Sequence, residues 1–337
     1  MAEQLEATTG GSLSIFITGG DTGAGVAVVR EATKNGYKAY ATAAKGTLGA
    51  TRIRRAGGIP VYPDLTRESA LRAAILMAKA DVVVNCAPQR FFGMPQHAID
   101  YNATAHLIEE ETEALVAAAG SMGIKRLVHL SSAFLYGETH GAANEEAHVH
   151  RGNALLNAAA AAEEAVFDGG VPGHVVRAGV IYGGYHDSMA ALAEDLRSGS
   201  GIPGGKGKVS WIHENDLGTA LANLAVIKLE NESVANVLNI ADDEPMTYDD
   251  FMAEFGKRFG VGTPSRLSGI RAAFRTNAIQ LELLGQSTLV DNSLAKATLG
   301  WVPKVASKEE GIERSMLIWR AEEAENMPSS SRVLVTT

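Results

Sequence analysis

The residues between positions 18 and 25 have the spacing of a phosphate-binding turn. The segment Thr18-Gly19-Gly20-Asp21-Thr22-Gly23-Ala24-Gly25 lies between a short apolar run and a helical stretch. Gly19 permits a tight turn, Gly23 lets the backbone approach a pyrophosphate, and Gly25 permits close contact between helix and strand. The helix that follows would present amide hydrogens and partial positive charge to the phosphates. The alternative is a glycine-rich turn without a ligand, but the flanking elements favour dinucleotide binding by all eight residues.

Residues at the ends of the next strands bear on the choice of cofactor. The second strand ends at Ala43-Ala44-Lys45, which contains no acid for the adenosine ribose hydroxyls. Lys45 and Arg52 could instead contact a 2′-phosphate, unless they are solvated surface charges, and this favours NADP over NAD. Further cofactor contacts are expected after the third and fourth strands, at Asp64, Leu65, Cys86 and Ala87.

Apolar runs alternate with helical stretches along much of the chain. We predict strands at 14–17, 39–43, 60–62, 80–86, 126–130, 174–177 and 237–240. We predict helices at 26–35, 69–78, 101–122 and 153–167, and one that Thr247 caps. This alternation predicts an α/β fold with a Rossmann-like, doubly wound parallel sheet. The expected domains are a cofactor domain over 12–180, rejoined by 209–244, and a smaller substrate-side domain over 181–208 and 245–325. Loose termini are expected at 1–11 and 326–337.

Further segments occur in the order and spacing of a known family. They are 124–137, ending in Tyr136-Gly137, then 177–183, 211–217 and 291–303. With the glycine turn, they make the chain resemble the short-chain dehydrogenase/reductase superfamily, and most of all its extended branch, the NAD-dependent epimerase/dehydratase family. The resemblance covers about Ser14 to Pro303, although the glycine spacing is nearer to the shorter, single-domain branch. It implies a catalytic role for Ser132, cofactor contacts at Ser131, Gly179 and Val180, and substrate-side positions for Tyr136 and His213.

The chain departs from the acid–base pair of that family, Tyr-x-x-x-Lys on a helix. No tyrosine is followed by lysine four residues later, and the chain has no lysine between Lys125 and Lys206. The corresponding positions are Leu155 and Ala159, or Leu156 and Ala160 in the alternative alignment. Acid–base groups typically contribute about 10²–10⁴-fold to a rate, so ordinary ketone and alcohol chemistry should be heavily impaired.

Several residues near the predicted site could replace the missing pair. His140, His148 and His150 precede the helix in question, and His150 is the candidate proton donor among them, although exposed loop histidines are the simpler interpretation. Tyr182 could supply a phenol, but packing or substrate contact is the favoured interpretation. Ala133-Phe134 after Ser132 disfavours dehydratase chemistry, which uses Asp-Glu there in that family. Arg266 and Arg271 could bind an anionic substrate group or be solvated.

The composition excludes several functions. The net charge of −9 disfavours nucleic-acid binding, and a single cysteine excludes a multi-cysteine metal site, so we predict no metal. No apolar run approaches the roughly 18 residues that span a bilayer, and we expect a cytoplasmic protein. The helices at 101–122 and 153–167 could form a homodimer face, by analogy, or the chain could join a protein complex.

Two hypotheses for function remain at this stage. The first is an atypical NAD(P)-dependent oxidoreductase that acts on a small organic substrate, for which direct hydride transfer to an activated double bond or iminium needs little acid–base help. The second is a non-catalytic protein that binds a dinucleotide for a structural, sensing or assembly role.

Overall fold

The computed structural model describes residues 13–95, 99–199, 201, 204–227, 229, 234–261, 265–267 and 277–326. Its strands are β1 (Ser14–Thr18), β2 (Lys38–Thr42), β3 (Ile59–Val61), β4 (Val82–Asn85), β5 (Arg126–Ser132), β6 (Gly173–Ala178), β7 (Val180–Tyr182), β8 (Lys208–Val209), β9 (Trp211–His213), β10 (Val237–Ile240) and β11 (Met246–Thr247). Its helices are α1 (Gly23–Lys34), α2 (Gly49–Arg55), α3 (Glu68–Ala78), α4 (Tyr101–Gly120), α5 (Ala154–Asp168), α6 (Asp187–Arg197), α7 (Glu214–Val226), α8 (Tyr248–Phe259), α9 (Ala278–Gly285), α10 (Ser293–Leu299) and α11 (Lys308–Asn326). Two short 3-10 helices cover Ala87–Phe91 and Ala133–Tyr136.

Within the described residues, seven strands form one parallel sheet in the order β10-β6-β5-β4-β1-β2-β3. The order reverses between β1 and β4, so a crevice opens at the carboxyl ends of these two strands, where ligands of such sheets bind. The predicted doubly wound α/β fold is therefore confirmed. The central strands β1, β4 and β5 are buried along their whole length, because helices cover both faces of the sheet.

Helix α1 begins three residues earlier than predicted. The Oγ1 of Thr22 accepts a hydrogen bond from the Gly25 amide and caps the helix, which offsets the low helix propensity of Gly23 and Gly25. Gly218 lets α7 lie directly against α1, since a Cβ there would come within 2.3 Å of the Ala27 side chain. This contact brings the first residue of α7 beside the glycine turn.

The sequence patterns missed several elements beyond the alternating core. Helices α2 and α7 and the short parallel pair β7–β9 were not predicted. Helix α7 starts directly after a buried strand without a turn residue between them, so no local punctuation marks its start. In the part of the chain that the structure describes, no helix is both long and apolar enough to cross a membrane.

Candidate functional site

The turn between β1 and α1 has the geometry that its glycines require. Gly19 has a φ of 61°, and a Cβ on it would lie 2.5 Å from the backbone nitrogen of Ala87. A Cβ on Gly25 would lie 2.1 Å from the Gly19 carbonyl oxygen. The Thr18 hydroxyl donates to Asn85 Oδ1 at 2.6 Å and joins the ends of β1 and β4. The predicted turn is thus built at the crevice of the sheet, at the amino end of a 12-residue helix.

Two side chains that the sequence did not single out lie at the amino end of α1. The Oε1 of Gln89 accepts a hydrogen bond from the Ala24 amide at 2.7 Å. The carboxyl group of Glu214 lies against Gly23, where an added Cβ would come within 1.8 Å of Glu214 Oε2. The two side chains therefore occupy the first turn of α1, where a phosphate would bind. In the sequence, an acidic residue inside the segment 211–217 could have pointed to Glu214, whereas no pattern distinguishes Gln89.

The carboxyl group of Glu214 is buried, and only one of its two oxygens is hydrogen-bonded. Its Oε1 accepts from the Tyr185 amide at 3.1 Å, whereas its Oε2 has no hydrogen-bond partner among the described residues. Burial raises the pKa of the Glu214 carboxyl to about 7, because removal from water disfavours the ionised form. The carboxyl thus changes charge near neutral pH, directly beside the glycine turn.

A dinucleotide fits the backbone of this site and competes with these side chains. The helix end, the two glycines and the crevice suit a pyrophosphate. The Ala24 amide becomes available only when Gln89 moves away. Gln89 Nε2 is buried without a hydrogen-bond partner in the described structure. Moving the Gln89 side chain into water would let Nε2 form hydrogen bonds, which offsets part of the cost of the movement.

The residues predicted on the adenosine side have different surroundings. Lys45 is exposed beyond the end of β2. Arg52 forms a bidentate pair with Glu322 of α11, at 2.7 Å for both bonds, and its guanidinium stacks at 4.4 Å over the Tyr185 ring. The prediction that Arg52 contacts a 2′-phosphate is therefore wrong for this conformation, because the carboxylate of Glu322 already holds the guanidinium fork.

The residues after β1, β3 and β4 have local structural partners. The Oδ2 of Asp21 accepts from the Ala44 amide at 3.1 Å and connects the turn to the end of β2. Asp64 accepts from the amide and hydroxyl of Thr66, and these bonds lower the pKa of its carboxyl. Leu65 packs at the edge of the core, and Ala87 is buried. Cys86 is fully buried, and burial raises the pKa of its thiol, which disfavours a nucleophilic role.

A buried polar network extends from the end of β5 to β10. The Ser131 hydroxyl donates to Glu163 Oε1 at 2.6 Å, and Arg177 donates to both oxygens of Glu163, the shortest bond being 2.6 Å. Arg177 also donates to the Tyr136 hydroxyl at 3.1 Å, which in turn donates to Asn239 at 2.7 Å. Although burial alone would lower the pKa of Arg177, the hydrogen bonds and charge of Glu163 raise it overall.

This network corrects two predictions. Tyr136 is 6% exposed with its hydroxyl engaged at both ends, so it is a structural residue rather than a substrate contact. Burial, the leading effect, also raises its pKa, which disfavours ionisation. The hydroxyl of Ser131 is likewise engaged by Glu163, which leaves its predicted cofactor contact to the backbone.

Ser132 and Val180 lie on the wall of one small pocket. In this conformation it is a narrow cleft with no room for a water molecule, and its other walls include Phe134, Val209 and Thr288. The Ser132 hydroxyl accepts from the Phe134 amide at 3.2 Å and caps the following 3-10 helix. Because the hydroxyl is only an acceptor in that cap, its own proton can still be donated toward the pocket. Gly179 lies beside this wall because a Cβ would come within 2.6 Å of the Ser210 carbonyl oxygen.

The face of α5 next to this network is apolar. Glu163 belongs to the buried network while Glu164 is exposed and pairs with Arg151, so the helix register favours the alignment of Leu155 and Ala159 with the acid–base positions. Both side chains are 1% exposed and belong to the main core. At these positions the helix therefore offers no proton donor.

Two of the proposed substitutes are core residues. Tyr182 is 1% exposed and contacts Trp211, His213 and Phe251 edge to face. Burial raises its pKa well above the ordinary value, and a Cβ on Gly311 of α11 would lie 2.5 Å from its hydroxyl. The prediction of a catalytic Tyr182 is therefore wrong for this conformation. His213 is also buried and caps α7 through Nδ1, which corrects its substrate-side assignment.

The remaining candidates lie nearer the surface. His150 is half exposed, and its Nε2 lies 3.9 Å from Glu282 Oε1 of α9. Arg266 pairs with Asp249 at 2.5 Å, and Arg271 lies outside the described residues. Among the described residues, no cluster of three or more His, Cys, Asp or Glu side chains has metal-site geometry.

Residues 15–241 match the model of the NAD dependent epimerase/dehydratase family. A 3-diazoavenalumate denitrifying reductase from a Streptomyces species is 28% identical over 278 residues, which cover 79% of this chain and 89% of that protein.

Solved structures share the fold at low identity. A UDP-glucose 4-epimerase from Thermotoga maritima, solved with UDP-glucose, has a TM-score of 0.72 and 19% identity, and the match covers 92% of this chain and 99% of that one. A dTDP-glucose 4,6-dehydratase from Bacillus anthracis, solved with NAD, has a TM-score of 0.73 and 18% identity, with coverage of 93% and 98%. At these identities the comparison shows the fold.

Proposed function

The chain belongs to the NAD dependent epimerase/dehydratase family, and we propose that it is a reductase that transfers hydride from NADPH or NADH to an electron-poor small molecule without an acid–base pair. The observation that carries the proposal is the apolar face of α5 beside a complete glycine turn. Leu155 and Ala159 cannot exchange protons, whereas Gly19 and Gly25 keep the turn at the crevice.

The chain's own residues would bind and orient the reactants. The reduced nicotinamide, when bound, supplies the hydride. The amide hydrogens at the start of α1 bind the pyrophosphate. The cleft beside Ser132 must widen for a substrate, and the Ser132 hydroxyl then donates a hydrogen bond to a polar atom of that substrate. The apolar walls of that pocket, Val180 and Val209 among them, exclude water. With no proton donor on α5, the favoured acceptors are those that need no proton.

Diazonium ions are the acceptor class that we infer from the name of the 28% identical reductase, which contains a diazo group. When hydride replaces a diazonium group, the new carbon–hydrogen bond forms, the carbon–nitrogen bond breaks, and N₂ leaves with the bonding electron pair. The net change consumes one hydride and no proton. This stoichiometry matches a site without Tyr and Lys at positions 155 and 159. Iminium ions also take up a hydride without a proton, and an activated double bond is a further candidate if water supplies its proton.

For the cofactor, we propose a preference for NADPH that depends on Lys45. The end of β2 has no acid, and Lys45 is exposed there, whereas Arg52 is engaged by Glu322. Lys45→Ala should weaken NADPH binding and leave NADH binding unchanged. Lys38→Ala is the matched control, because Lys38 is exposed at the opposite end of the same strand. An equal loss for both nucleotides would contradict this preference.

The test of the main proposal combines binding and turnover. Fluorescence titration with NADPH and NADH should show binding below about 1 mM. Oxidation of the bound nucleotide should then depend on an aryl diazonium or another strong electrophile, with release of N₂ in the first case. Efficient reduction of simple ketones, or no binding of either nucleotide, would refute the proposal.

A non-catalytic role is the second candidate. Gln89 and Glu214 beside the first turn of α1 favour it, since they occupy the place of a bound phosphate. Nucleotide binding without oxidation by any electrophile tested would support this role. We also propose a homodimer through α4 and α5, on which Leu107 and Phe167 are exposed; sedimentation of Phe167→Glu against the parent chain tests it.

A further inference from the structure

Two amide hydrogens in the first turn of α1 already have side-chain acceptors. A helix begins with four amides that lack intrahelical partners. In α1 the Gly25 amide donates to the Thr22 cap and the Ala24 amide donates to Gln89. Gly23 is covered by the carboxyl of Glu214. The helix end therefore holds the Gln89 side-chain oxygen as an acceptor, and the Glu214 carboxyl lies beside it, where the positive end of the helix dipole favours negative charge.

The loop after β7 supports the positions of both Gln89 and Glu214. The backbone carbonyl of Gln89 lies 2.9 Å from His186 Nε2, which ties the 3-10 helix after β4 to the loop after β7. The same loop donates the Tyr185 amide to Glu214, and the Tyr185 ring lies under Arg52, which α11 holds through Glu322. The loop thus bridges the site and the carboxyl-terminal helix.

Each side chain also has a buried polar atom without a partner. Glu214 Oε2 and Gln89 Nε2 make no hydrogen bond within the described structure. Such groups cost free energy where they are, so the arrangement is poised to give way to a better ligand. A pyrophosphate offers ionised oxygens, whose bonds to amides are roughly twice as strong as those of a neutral carbonyl.

We propose that Gln89 and Glu214 are internal substitutes for the cofactor pyrophosphate, and that dinucleotide binding requires Gln89 to swing out and Glu214 to be uncharged. This inference rests on the proposed function and specifies how its cofactor site is regulated. An ionised Glu214 would place a carboxylate next to incoming phosphates in a buried site, where repulsion is strong. A neutral Glu214 removes that repulsion.

The charges around Glu214 come from every element packed on it. Arg30 of α1 and Arg52 of α2 favour the ionised carboxylate, and the Tyr185 and Gly184 amides act in the same direction. Glu322 offsets the charge of Arg52 through their pair. Burial outweighs these contributions and leaves the pKa at about 7. Nucleotide affinity should therefore fall as the pH rises through 7.

The experiment measures the Kd of NADH between pH 6 and pH 8. NADH is the probe because it lacks the 2′-phosphate of NADPH, which titrates near pH 6. If only the neutral carboxyl permits binding, the Kd should rise about tenfold from pH 6 to pH 8. Glu214→Gln should bind NADH with a Kd that changes little over this range. Glu68→Gln is the matched control, because Glu68 is also the first residue of a helix but is exposed on α3.

Gln89→Ala tests the other half of the proposal. It should tighten NADH binding by about fivefold at either pH, the factor that one net hydrogen bond represents. Thermal melting without nucleotide checks that the variants fold. It also gives an independent result, since Glu214→Gln should melt higher than the parent chain at pH 8 and not at pH 5.

The outcomes separate this inference from the proposed function. Binding of NADH by the parent chain with no pH dependence beyond that of Glu214→Gln, and no gain in Gln89→Ala, overturns the inference and leaves the function intact. Binding only by the variants supports the inference. Failure of the parent chain and both folded variants to bind NADH or NADPH overturns the function and the inference with it.

Discussion

The buried pair of Glu163 and Arg177 allows a sharp prediction about stability. The two side chains are 4% and 6% exposed, and three hydrogen bonds join them. Replacing Glu163 with Gln keeps the size but leaves the guanidinium of Arg177 without a counter-charge in the core. Breaking a buried pair in this way costs about 3–5 kcal/mol in the free energy of unfolding. The folded-to-unfolded ratio should then fall by at least about a hundredfold.

The neighbouring acid supplies the control. Glu164 is 61% exposed and pairs with Arg151 across the surface of the same helix. Glu164→Gln should cost less than about 1 kcal/mol, as exposed pairs do. Each variant replaces Glu with Gln, which has nearly the same volume and helix propensity. The difference between the two losses in the free energy of unfolding therefore reports the effect of burying the charge.

Urea denaturation at about pH 7.5, followed by far-UV circular dichroism, measures the change in the free energy of unfolding for both variants. The double variant Glu163→Leu with Arg177→Met should recover most of the loss, because apolar residues of similar volume often replace a buried pair at little cost. A loss in Glu163→Gln equal to that in Glu164→Gln would refute the reasoning. So would a double variant less stable than Glu163→Gln alone.

Three further predictions follow from single residues. Gly25→Ala should abolish nucleotide binding in a titration and lower the melting temperature, because its Cβ would lie 2.1 Å from the Gly19 carbonyl, whereas Gly141→Ala, with open space around it, should change neither. Ser132→Ala should lower kcat about tenfold or more with little change in nucleotide Kd, and an unchanged kcat would reduce the serine to a helix cap. Burial lowers the pKa of His129 to about 4, so the stability that its neutral form contributes above pH 6.5 should be lost as the pH falls toward 4. His129→Gln should lose less stability over this range than the parent chain, and an equal loss, measured by denaturation midpoints, would contradict this cause.

The alternation of apolar and helical stretches was sufficient to predict the sheet. Both ends of strands β1, β2, β4, β5, β6 and β10 lie within two residues of their predicted positions, because buried parallel strands are continuous apolar runs bounded by turn residues. The glycine turn was also readable, since its glycines lie at short spacing between an apolar run and a helical stretch, although the contact of Gly19 with Ala87 was not. Both signals are local.

Side-chain assignments in the site depended on partners far along the chain. Tyr136 and Tyr182 have the spacing of functional residues, yet their hydroxyls face Asn239 and Gly311. Arg52 is a surface-like residue of a short helix until Glu322 pairs with it. No periodicity or motif encodes such pairings, because they join elements that only the folded chain brings together.

The sequence by itself determined that the chain builds a dinucleotide-type turn on a parallel sheet and that it has no Tyr-x-x-x-Lys pair, since both follow from residue identity at short spacing. The tertiary structure decided what stands at that turn. Along the chain, Glu214 is 191 residues and Gln89 is 66 residues from Gly23. Only the packing of α7 and of the 3-10 helix against α1 brings the two side chains to the glycine turn. The physical reason is that burial and proximity set the charge of a carboxyl group and the availability of an amide, and both are properties of the folded core.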